Sequence, residues 1–172
     1  MAKLFIFAGL PGSGKSALSQ RLAQQVNAVY LRIDTIEQAL RDLCQFDVEG
    51  EGYRLAYRLA ADNLRVGRNV VADSCNPIEL TRTEWVAVAN ATGSQFVNIE
   101  VVCSDAREHR RRIESRRTDI PGLKLPTWRE VQEREYHPWL HDRIIIDIAN
   151  RPQADCLDTL MTELARMQEG AR

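Results

Sequence analysis

The chain has 172 residues and a formal net charge of −1. This length suits one domain, since domains typically have about 100–200 residues. The net charge argues against a globally basic nucleic-acid-binding protein, though not against a local basic patch. No stretch approaches the ~18 apolar residues of a membrane span. The N-terminus enters an apolar strand within a few residues, so we expect no signal peptide.

The cysteines predict the compartment. They are scattered and form no C-x-x-C pair: Cys44, Cys75, Cys103 and Cys156. Cysteines in this arrangement are typical of reduced thiols. We therefore expect a cytoplasmic protein without a membrane partner.

Short apolar runs predict five strands, at residues 4–8, 28–33, 69–73, 95–102 and 143–148. Between them, apolar positions three and four residues apart predict helices, at residues 17–23, 35–43, 53–66, 77–93, 105–117, 127–137 and 154–167. Asn76 and Ser104 are the expected caps of the fourth and fifth helices, and Thr127 opens a capping-box pattern before the sixth. Strands that alternate with helices imply an α/β fold, in which a parallel sheet is covered on both faces.

The ligand of such a sheet binds at the carboxyl ends of its strands. Three features follow directly after the first three predicted strands: a glycine-rich loop at residues 9–16, Asp34 and Asp73. They are far apart in sequence, but the predicted topology brings them to one rim of the sheet.

The loop at residues 9–16 reads Gly-Leu-Pro-Gly-Ser-Gly-Lys-Ser, which matches G-x-x-x-x-G-K-[ST] without a mismatch. A strand before it and a helix after it are the context that a phosphate-binding loop requires. Its glycines let successive N–H groups point at one phosphate, and the helix N-terminus adds partial positive charge. The residues expected to bind the nucleotide are Gly9, Pro11, Gly12, Ser13, Gly14, Lys15, Ser16 and Ala17.

Two residues of this loop have side-chain roles. Lys15 is expected to reach the β- and γ-phosphates, and the Ser16 hydroxyl is expected to ligate Mg²⁺. Asp73 is a second candidate for Mg²⁺, through water, or for a bond to the acceptor. The alternative is that Asp73 only ends a buried strand with a polar residue.

Asp34 is the candidate catalytic base. A carboxylate at the end of a strand, facing the γ-phosphate, can accept the proton of an acceptor hydroxyl and orient its oxygen in line with the phosphorus. The alternative is a structural role, because Asp34 also stands where a helix cap is expected and could bond the free N–H groups of the following helix.

Arg112 and Arg116 are the candidate lid residues. They are four residues apart and are expected to share a helix face, directly before a proline-containing loop at residues 118–126. A lid over about residues 112–137 could bring their guanidinium groups to the phosphates, where they would stabilise the charge of the transition state. The alternative is a solvent-exposed arginine face paired with nearby acidic residues.

Two classes of P-loop protein lack their usual motifs here. Guanine-specific GTPases usually carry Asn/Thr-Lys-x-Asp, and no lysine of this chain follows an Asn or Thr. Motor-type ATPases usually end the metal-binding strand in Asp-Glu, whereas Ser74 follows Asp73 here. A small kinase needs a base, positive charge on the transferred group and a lid, and the chain has a candidate for each.

With these residues, the chain resembles the small P-loop kinases related to the 5′-kinase domain of phage polynucleotide kinase, with chloramphenicol phosphotransferase and the zeta toxins as more distant relatives. The resemblance covers most of the chain. It is carried by the loop at residues 9–16, by Tyr-Leu-Arg-Ile-Asp at 30–34, by Val-Val-Ala-Asp-Ser-Cys-Asn-Pro at 70–77, and by Arg112 and Arg116 at the positions of the lid arginines.

The resemblance implies a three-layer P-loop NTPase fold, with the five parallel strands in the order 2-3-1-4-5 and a short helical lid. It implies one kinase domain over residues 1–172, which uses ATP and Mg²⁺ to phosphorylate a hydroxyl acceptor. Polynucleotide kinases usually carry an arginine three residues after the catalytic aspartate, where this chain has Glu37, so nucleic acid is expected only as a substrate end. A polynucleotide 5′-hydroxyl and a small molecule both stay open as acceptors, and an ATPase or nucleotide-binding regulator without an acceptor stays open as the alternative function.

Overall fold

Strand β1 (Lys3–Ala8) is the centre of a five-stranded, all-parallel sheet in the computed structural model, which describes residues 1–169. It pairs with β3 (Val70–Asp73) on one side and with β4 (Gln95–Val102) on the other, while β2 (Val29–Arg32) and β5 (Ile144–Asp147) form the edges. The order β2-β3-β1-β4-β5 confirms the P-loop NTPase fold that the resemblance implied.

Helices cover both faces of this sheet. Within residues 1–169 they are α1 (Lys15–Gln25), α2 (Ile33–Cys44), α3 (Glu51–Arg65), α4 (Glu79–Ala91), α5 (Ala106–Ser115), α6 (Trp128–Gln132) and α7 (Gln153–Glu169). In this part of the chain no helix has the length and apolarity of a membrane span.

The apolar side chains of β1 alternate between two cores, one on each face of the sheet. Phe5 and Phe7 pack against α1 and α7, whereas Leu4 and Ile6 pack against α3 and α4. All four side chains are at most 4% exposed. A parallel strand that is buried on both faces needs a nearly continuous apolar run, and this packing holds the end of β1, where the phosphate-binding loop begins.

The expected rim is present at the carboxyl ends of the strands. Arg32, the last residue of β2, pairs in register with Asp73, the last residue of β3. The β3 strand in turn pairs with β1, with Ile6 opposite Ala72. The phosphate-binding loop after β1, the first turn of α2 after β2 and Asp73 therefore meet at one edge of the sheet.

Two predicted helix caps are wrong. The N-cap of α5 is Asp105 instead of Ser104, and its carboxylate accepts bonds from the N–H groups of Arg107 at 2.9 Å and Glu108 at 3.1 Å. Asn76 does not cap α4, which starts at Glu79 after Ile78. Its buried side chain instead donates to the carbonyl of Phe7 at 2.7 Å, a tertiary contact that satisfies a buried acceptor at the end of β1.

Two predicted helix ends are also wrong. Helix α5 ends at Ser115, and Arg116 is extended with φ −63° and ψ 134°, so Arg112 and Arg116 do not share a helix face. The capping box of Thr127 is present, but α6 ends at Gln132 instead of reaching His137. The N–H of His137 donates to the carbonyl of Pro77 at 2.8 Å, and this tertiary bond draws the chain away from a helical path.

Candidate active site

The phosphate-binding loop requires glycine because of its conformation and its close packing. Gly9 has φ 142° and Gly12 has φ 79°, in a region that other residues rarely adopt. A Cβ on Gly9 would collide with the carbonyl oxygen of Val101, and a Cβ on Gly12 would lie 2.6 Å from Cδ1 of Ile113. The loop is thus held against the ends of β4 and α5, with its path determined by the glycines.

Three hydrogen bonds hold the loop in place. Within it, the N–H of Ser13 donates to the carbonyl of Leu10 at 3.1 Å. The N–H of Gly9 donates to the carbonyl of Cys75, just beyond β3, at 3.1 Å. Nε2 of His109 lies 2.8 Å from the carbonyl oxygen of Pro11, so this ring nitrogen carries the proton and donates it. The bond joins the loop to α5.

Lys15 is almost fully buried, with 5% of its surface exposed. Burial alone would lower the pKa of Lys15, but its neighbours Cys75, Asp73 and Asp34 outweigh that effect and raise the pKa above its ordinary value. A raised pKa keeps the ammonium group charged throughout the neutral range. The buried cation is therefore available for an anionic ligand.

Asp73 is 2% exposed, and its two carboxylate oxygens differ in their contacts. Oδ2 accepts a 2.7 Å bond from the hydroxyl of Tyr30 and lies 3.9 Å from Nε of Arg32. Burial, together with the charge of Asp73, raises the pKa of Tyr30, so the phenol stays a donor. Oδ1 has no hydrogen-bond partner among the described residues. An unpaired buried oxygen is costly, and this one suits a metal-bound water.

Asp34 lies one residue inside α2, since the helix begins at Ile33 with Arg32 as its N-cap. No side-chain bond caps this helix, and the Asp34 carboxylate accepts no hydrogen bond within residues 1–169. The helix-cap alternative is therefore not supported. The side chain instead lines a cavity of about 530 Å³, together with Lys15.

Two cavities meet at the phosphate-binding loop. The first, which we name the P-loop cavity, measures about 400 Å³ and is lined by Gly12, Gly14, Lys15, Ser16, Ala17 and Arg112 among others. The second, which we name the α2 cavity, is the 530 Å³ space beside Asp34. Lys15 and Arg116 line both. A group bound between these two side chains is accessible from either cavity.

The remaining loop residues line the α2 cavity or a third, smaller cavity. Pro11 lines the α2 cavity. Gly9 and Ser13 line a smaller cavity of about 120 Å³ beside His109, where the Ser13 hydroxyl is buried and unpartnered within the described residues.

Arg112 and Arg116 both line the P-loop cavity, but Arg112 is in helix α5 and Arg116 is in extended backbone after it. Arg112, on α5, donates through Nε to Oε1 of Glu108 at 2.8 Å, and the other oxygen of Glu108 accepts from the N–H of Asn150 at 2.7 Å. Arg116, beyond the end of α5, has no carboxylate partner within residues 1–169. One guanidinium group is therefore held by a carboxylate and the other is free to bind.

Arg32 and His109 are site residues that sequence reasoning did not single out. Arg32 lines the P-loop cavity and holds both oxygens of Asp119, at 2.9 and 3.0 Å. Arg32 is the last residue of β2, two residues before Asp34, and this position at the carboxyl end of a strand was a signal in the sequence for a site residue. His109 gives no such signal, because its partner Pro11 is 98 residues away in sequence.

Comparison with protein families places the chain in a known family. A family model described as an AAA domain matches residues 4–134, which is more than half of the chain. The chain belongs to this AAA domain family. The match runs from β1 to just beyond α6, so it includes the phosphate-binding loop and most of the walls of both cavities. No curated protein matches the sequence.

Solved structures show the same fold. The APS kinase CysC of Mycobacterium tuberculosis, in complex with AMPPNP and APS, has a TM-score of 0.71 and 17% identity over 95% of this chain and 98% of that one. A gluconokinase of Sinorhizobium meliloti has a TM-score of 0.69 and 16% identity, over 98% of this chain and 95% of that one. Kti12 of Chaetomium thermophilum, in complex with ADP-AlF3, has a TM-score of 0.67 and 16% identity, over 92% of this chain and 97% of that one.

These matches confirm that this AAA domain protein belongs with the small P-loop kinases in fold. The fold supports a nucleotide-dependent phosphotransferase or a nucleotide-binding role. At this level of identity the matches show the architecture alone, and the chemistry must be inferred from the residues of the site.

Proposed function

We propose that the protein is an ATP-dependent kinase that transfers the γ-phosphate to a hydroxyl group of an acceptor. One observation carries the proposal: the P-loop cavity and the α2 cavity meet at Lys15 and Arg116, and of these two cavities Asp34 lines only the α2 cavity. A donor in one cavity and an acceptor in the other would meet between two cations, with a carboxylate on the acceptor's side. Phosphoryl transfer needs this arrangement. The APS kinase and gluconokinase of the same fold support the class of reaction.

In this proposal the phosphate-binding loop holds ATP. Backbone N–H groups of the loop residues that line the P-loop cavity, Gly12, Gly14, Lys15, Ser16 and Ala17, surround the β-phosphate. The ammonium group of Lys15 bonds the β- and γ-phosphate oxygens. The positive end of α1 adds to the attraction. Because Lys15 is buried and charged, it binds the phosphates without the screening that weakens exposed charges.

The residues present suit Mg²⁺. The Ser16 hydroxyl lines the P-loop cavity and would bind the ion directly, while the unpartnered Oδ1 of Asp73 would hold one of its waters. When bound, Mg²⁺ would neutralise negative charge on the β- and γ-phosphates. Tyr30 and Arg32 hold the other oxygen of Asp73 and so orient the carboxylate.

Asp34 orients the acceptor hydroxyl and takes its proton as the new oxygen–phosphorus bond forms. The bond between the γ-phosphorus and the β–γ bridging oxygen of ATP breaks in the same step, and ADP leaves. Arg112 and Arg116 stabilise the negative charge spread over the transferred group. The segment over about residues 112–137, from the end of α5 to just beyond α6, acts as the lid of a single kinase domain and excludes water from the reaction.

Transfer of label from γ-labelled ATP, with Mg²⁺, tests the proposal. The acceptors are 5′-hydroxyl DNA and RNA oligonucleotides, nucleosides, adenylyl sulfate, amino sugars, sugar acids and hydroxylated antibiotics, with water as the blank. Label on an acceptor is the expected result. Label that appears only as free phosphate, at a rate that no acceptor changes, would indicate an ATPase instead, and nucleotide binding without any turnover would indicate a regulator.

A further inference from the structure

The α2 cavity extends the site away from the phosphates, and one wall of it is a polar stripe on α2. This stripe consists of Asp34, Glu37, Gln38 and Arg41, whose spacing places them on one helix face. Asp34 is nearest the phosphate-binding loop. Arg41 lies seven residues further, about 10 Å along the helix at a rise of 1.5 Å per residue. An acceptor lying along α2 would meet a carboxylate at one end and a cation at the other.

The α2 cavity is cationic, although the whole chain has a net charge of −1. Five cationic side chains line it, against two carboxylates. Arg41 is paired with Glu37 at 3.5 Å, and Lys15 and Arg116 also face the P-loop cavity. The two other cationic side chains of the α2 cavity are Lys124 and Arg134.

Lys124 and Arg134 come from different elements and converge on this cavity. Lys124 belongs to the connection between α5 and α6, and Arg134 follows α6. Neither has a carboxylate oxygen within 4.0 Å of its charged nitrogens among residues 1–169. Unpaired cations that line one concave space create a positive potential, which favours an anionic ligand.

The size of the space indicates a small molecule. The α2 cavity continues into a neighbouring cavity of about 420 Å³, with Asp34, Glu37 and Arg134 shared between them. Ligand pockets for small molecules typically measure about 300–1,000 Å³. The connection between α5 and α6 lies close over α2, because a Cβ on Gly122 would lie 3.0 Å from Nε2 of Gln38.

We propose that the acceptor is a small molecule that carries an anionic group, a carboxylate, sulfate or phosphate, in addition to the hydroxyl that is phosphorylated. Lys124 and Arg134 bind the anionic group, and Asp34 binds the hydroxyl. This inference rests on the proposed kinase function, since it assigns the acceptor half of the same site.

Inorganic sulfate is the first probe, because it requires no knowledge of the acceptor. The protein is first saturated with Mg²⁺ and a non-hydrolysable ATP analogue, so that the phosphate sites are filled, and sulfate binding is then measured by calorimetry. We expect one further sulfate site. Its affinity should fall about tenfold in Lys124→Gln and in Arg134→Gln, the loss expected when one charged hydrogen bond is removed.

Arg129→Gln is the matched control. Arg129 is also an exposed arginine of this region, on α6, but it pairs with Glu133 at 2.8 Å and does not line the cavity. This variant should keep the sulfate affinity. Absence of a sulfate site in the loaded protein, or an equal loss in Arg129→Gln, would overturn the inference. Failure of the ATP analogue to bind would instead contradict the kinase function, and the inference with it.

Matched acceptors provide the second test: gluconate against sorbitol, adenylyl sulfate against adenosine, and a 5′-hydroxyl dinucleotide against its nucleoside. We expect γ-label on the charged member of a pair, and a KM for it about tenfold higher in Arg134→Gln than in Arg129→Gln. Preference for the neutral members would confirm a kinase and contradict the anionic acceptor. Label on oligonucleotides alone would contradict the small-molecule assignment, and label only as free phosphate would contradict the kinase.

Discussion

The hydroxyl of Tyr30 donates a 2.7 Å hydrogen bond to Oδ2 of Asp73, and the other oxygen of that carboxylate is buried without a partner within the described residues. The two residues are on adjacent strands, β2 and β3, and Asp73 ends β3 at the rim of the sheet. One oxygen is thus bound to the protein, and the second has no protein partner among the described residues. Tyr30 is therefore a positioning residue for the proposed Mg²⁺ site.

Replacing Tyr30 with Phe should lower stability and weaken the response to Mg²⁺. Loss of the donor leaves a second buried oxygen of Asp73 unsatisfied, which costs about 1–3 kcal/mol and frees the carboxylate to rotate. We expect a lower urea midpoint and a higher Mg²⁺ concentration for half-maximal transfer. Tyr57→Phe is the control, because Tyr57 donates to the carbonyl of Thr81, away from the site. An unchanged Mg²⁺ requirement in Tyr30→Phe would contradict this role of Asp73.

Replacing Asp34 with Asn should reduce phosphoryl transfer by about 10²–10⁴, the usual contribution of a general base. Affinity for a non-hydrolysable ATP analogue and the thermal midpoint should stay close to wild type, because this carboxylate accepts no hydrogen bond within residues 1–169. Asp62→Asn is the control, because the exposed carboxylate of Asp62, on α3, accepts only from Arg65 at 3.1 Å and lines neither cavity. Weaker nucleotide binding together with a lower midpoint in Asp34→Asn would instead indicate a structural role.

Replacing Lys15 with Ala should lower the transfer rate by about 10²–10³, the loss typical of one preorganised donor. Lys3→Ala, at the start of β1, should keep full activity. Retained activity in Lys15→Ala would show that the active site is assigned wrongly.

The pH dependence of nucleotide binding tests the charge of Lys15. Its neighbouring acidic groups raise the pKa of Lys15 despite its burial, and a raised pKa preserves the charged form until the pH exceeds the ordinary lysine value of about 10.4. Affinity for the ATP analogue should therefore be constant between about pH 7 and 9. A fall in affinity in that range which is absent in Lys15→Ala would show that the pKa is lowered instead.

Replacing Asp119 with Asn should loosen the connection between α5 and α6. Asp119 is 77% exposed and accepts both bonds from Arg32, so its contribution to global stability is at most about 1 kcal/mol. We expect faster hydrogen exchange in residues 118–126 with little change in the thermal midpoint. Glu114→Gln, which breaks the exposed pair of Arg110 and Glu114 on α5, should leave that exchange unchanged.

The Arg32 bond lowers the pKa of Asp119. Because the pKa of Asp119 is lowered, the ion pair stabilises the folded state fully at a pH above the ordinary aspartate pKa of about 3.9. This stabilisation is lost as the pH falls through the lower pKa that Asp119 has in the folded protein. The exchange of residues 118–126 should therefore show no opening that depends on Asp119 at neutral pH. Such an opening between about pH 5 and 8, absent in Asp119→Asn, would contradict this assignment.

The elements that sequence predicted well are those whose signals are local. A strand buried on both faces needs a continuous apolar run, and a phosphate-binding loop needs glycine where φ is positive, so β1 and Gly12 could be recognised from neighbouring residues alone. The capping box of Thr127 and Glu130 joins groups three residues apart, and it is present as predicted. The strand order came from the resemblance, since local patterns do not specify which strands pair.

The predictions that failed involve groups whose partners are distant in sequence. Asn76 looked like a helix cap, but its side chain satisfies the carbonyl of Phe7. The helical pattern continued through Arg116, but the chain leaves the helix at Ser115 and brings Arg116 between the two cavities. At Asn76 the buried hydrogen bond outweighed a local capping preference that is worth only about 1 kcal/mol.

The sequence by itself therefore determined the phosphate-binding loop, the alternation of strands and helices, and the acidic residues at the strand ends, because each depends on chemistry within a few residues. Only the tertiary structure decided which oxygen of Asp73 stays free, that His109 supports the loop across 98 residues of sequence, and that Lys124 and Arg134 line one cavity with Asp34. Burial and charge convergence depend on the packing of distant segments, and no local pattern encodes them.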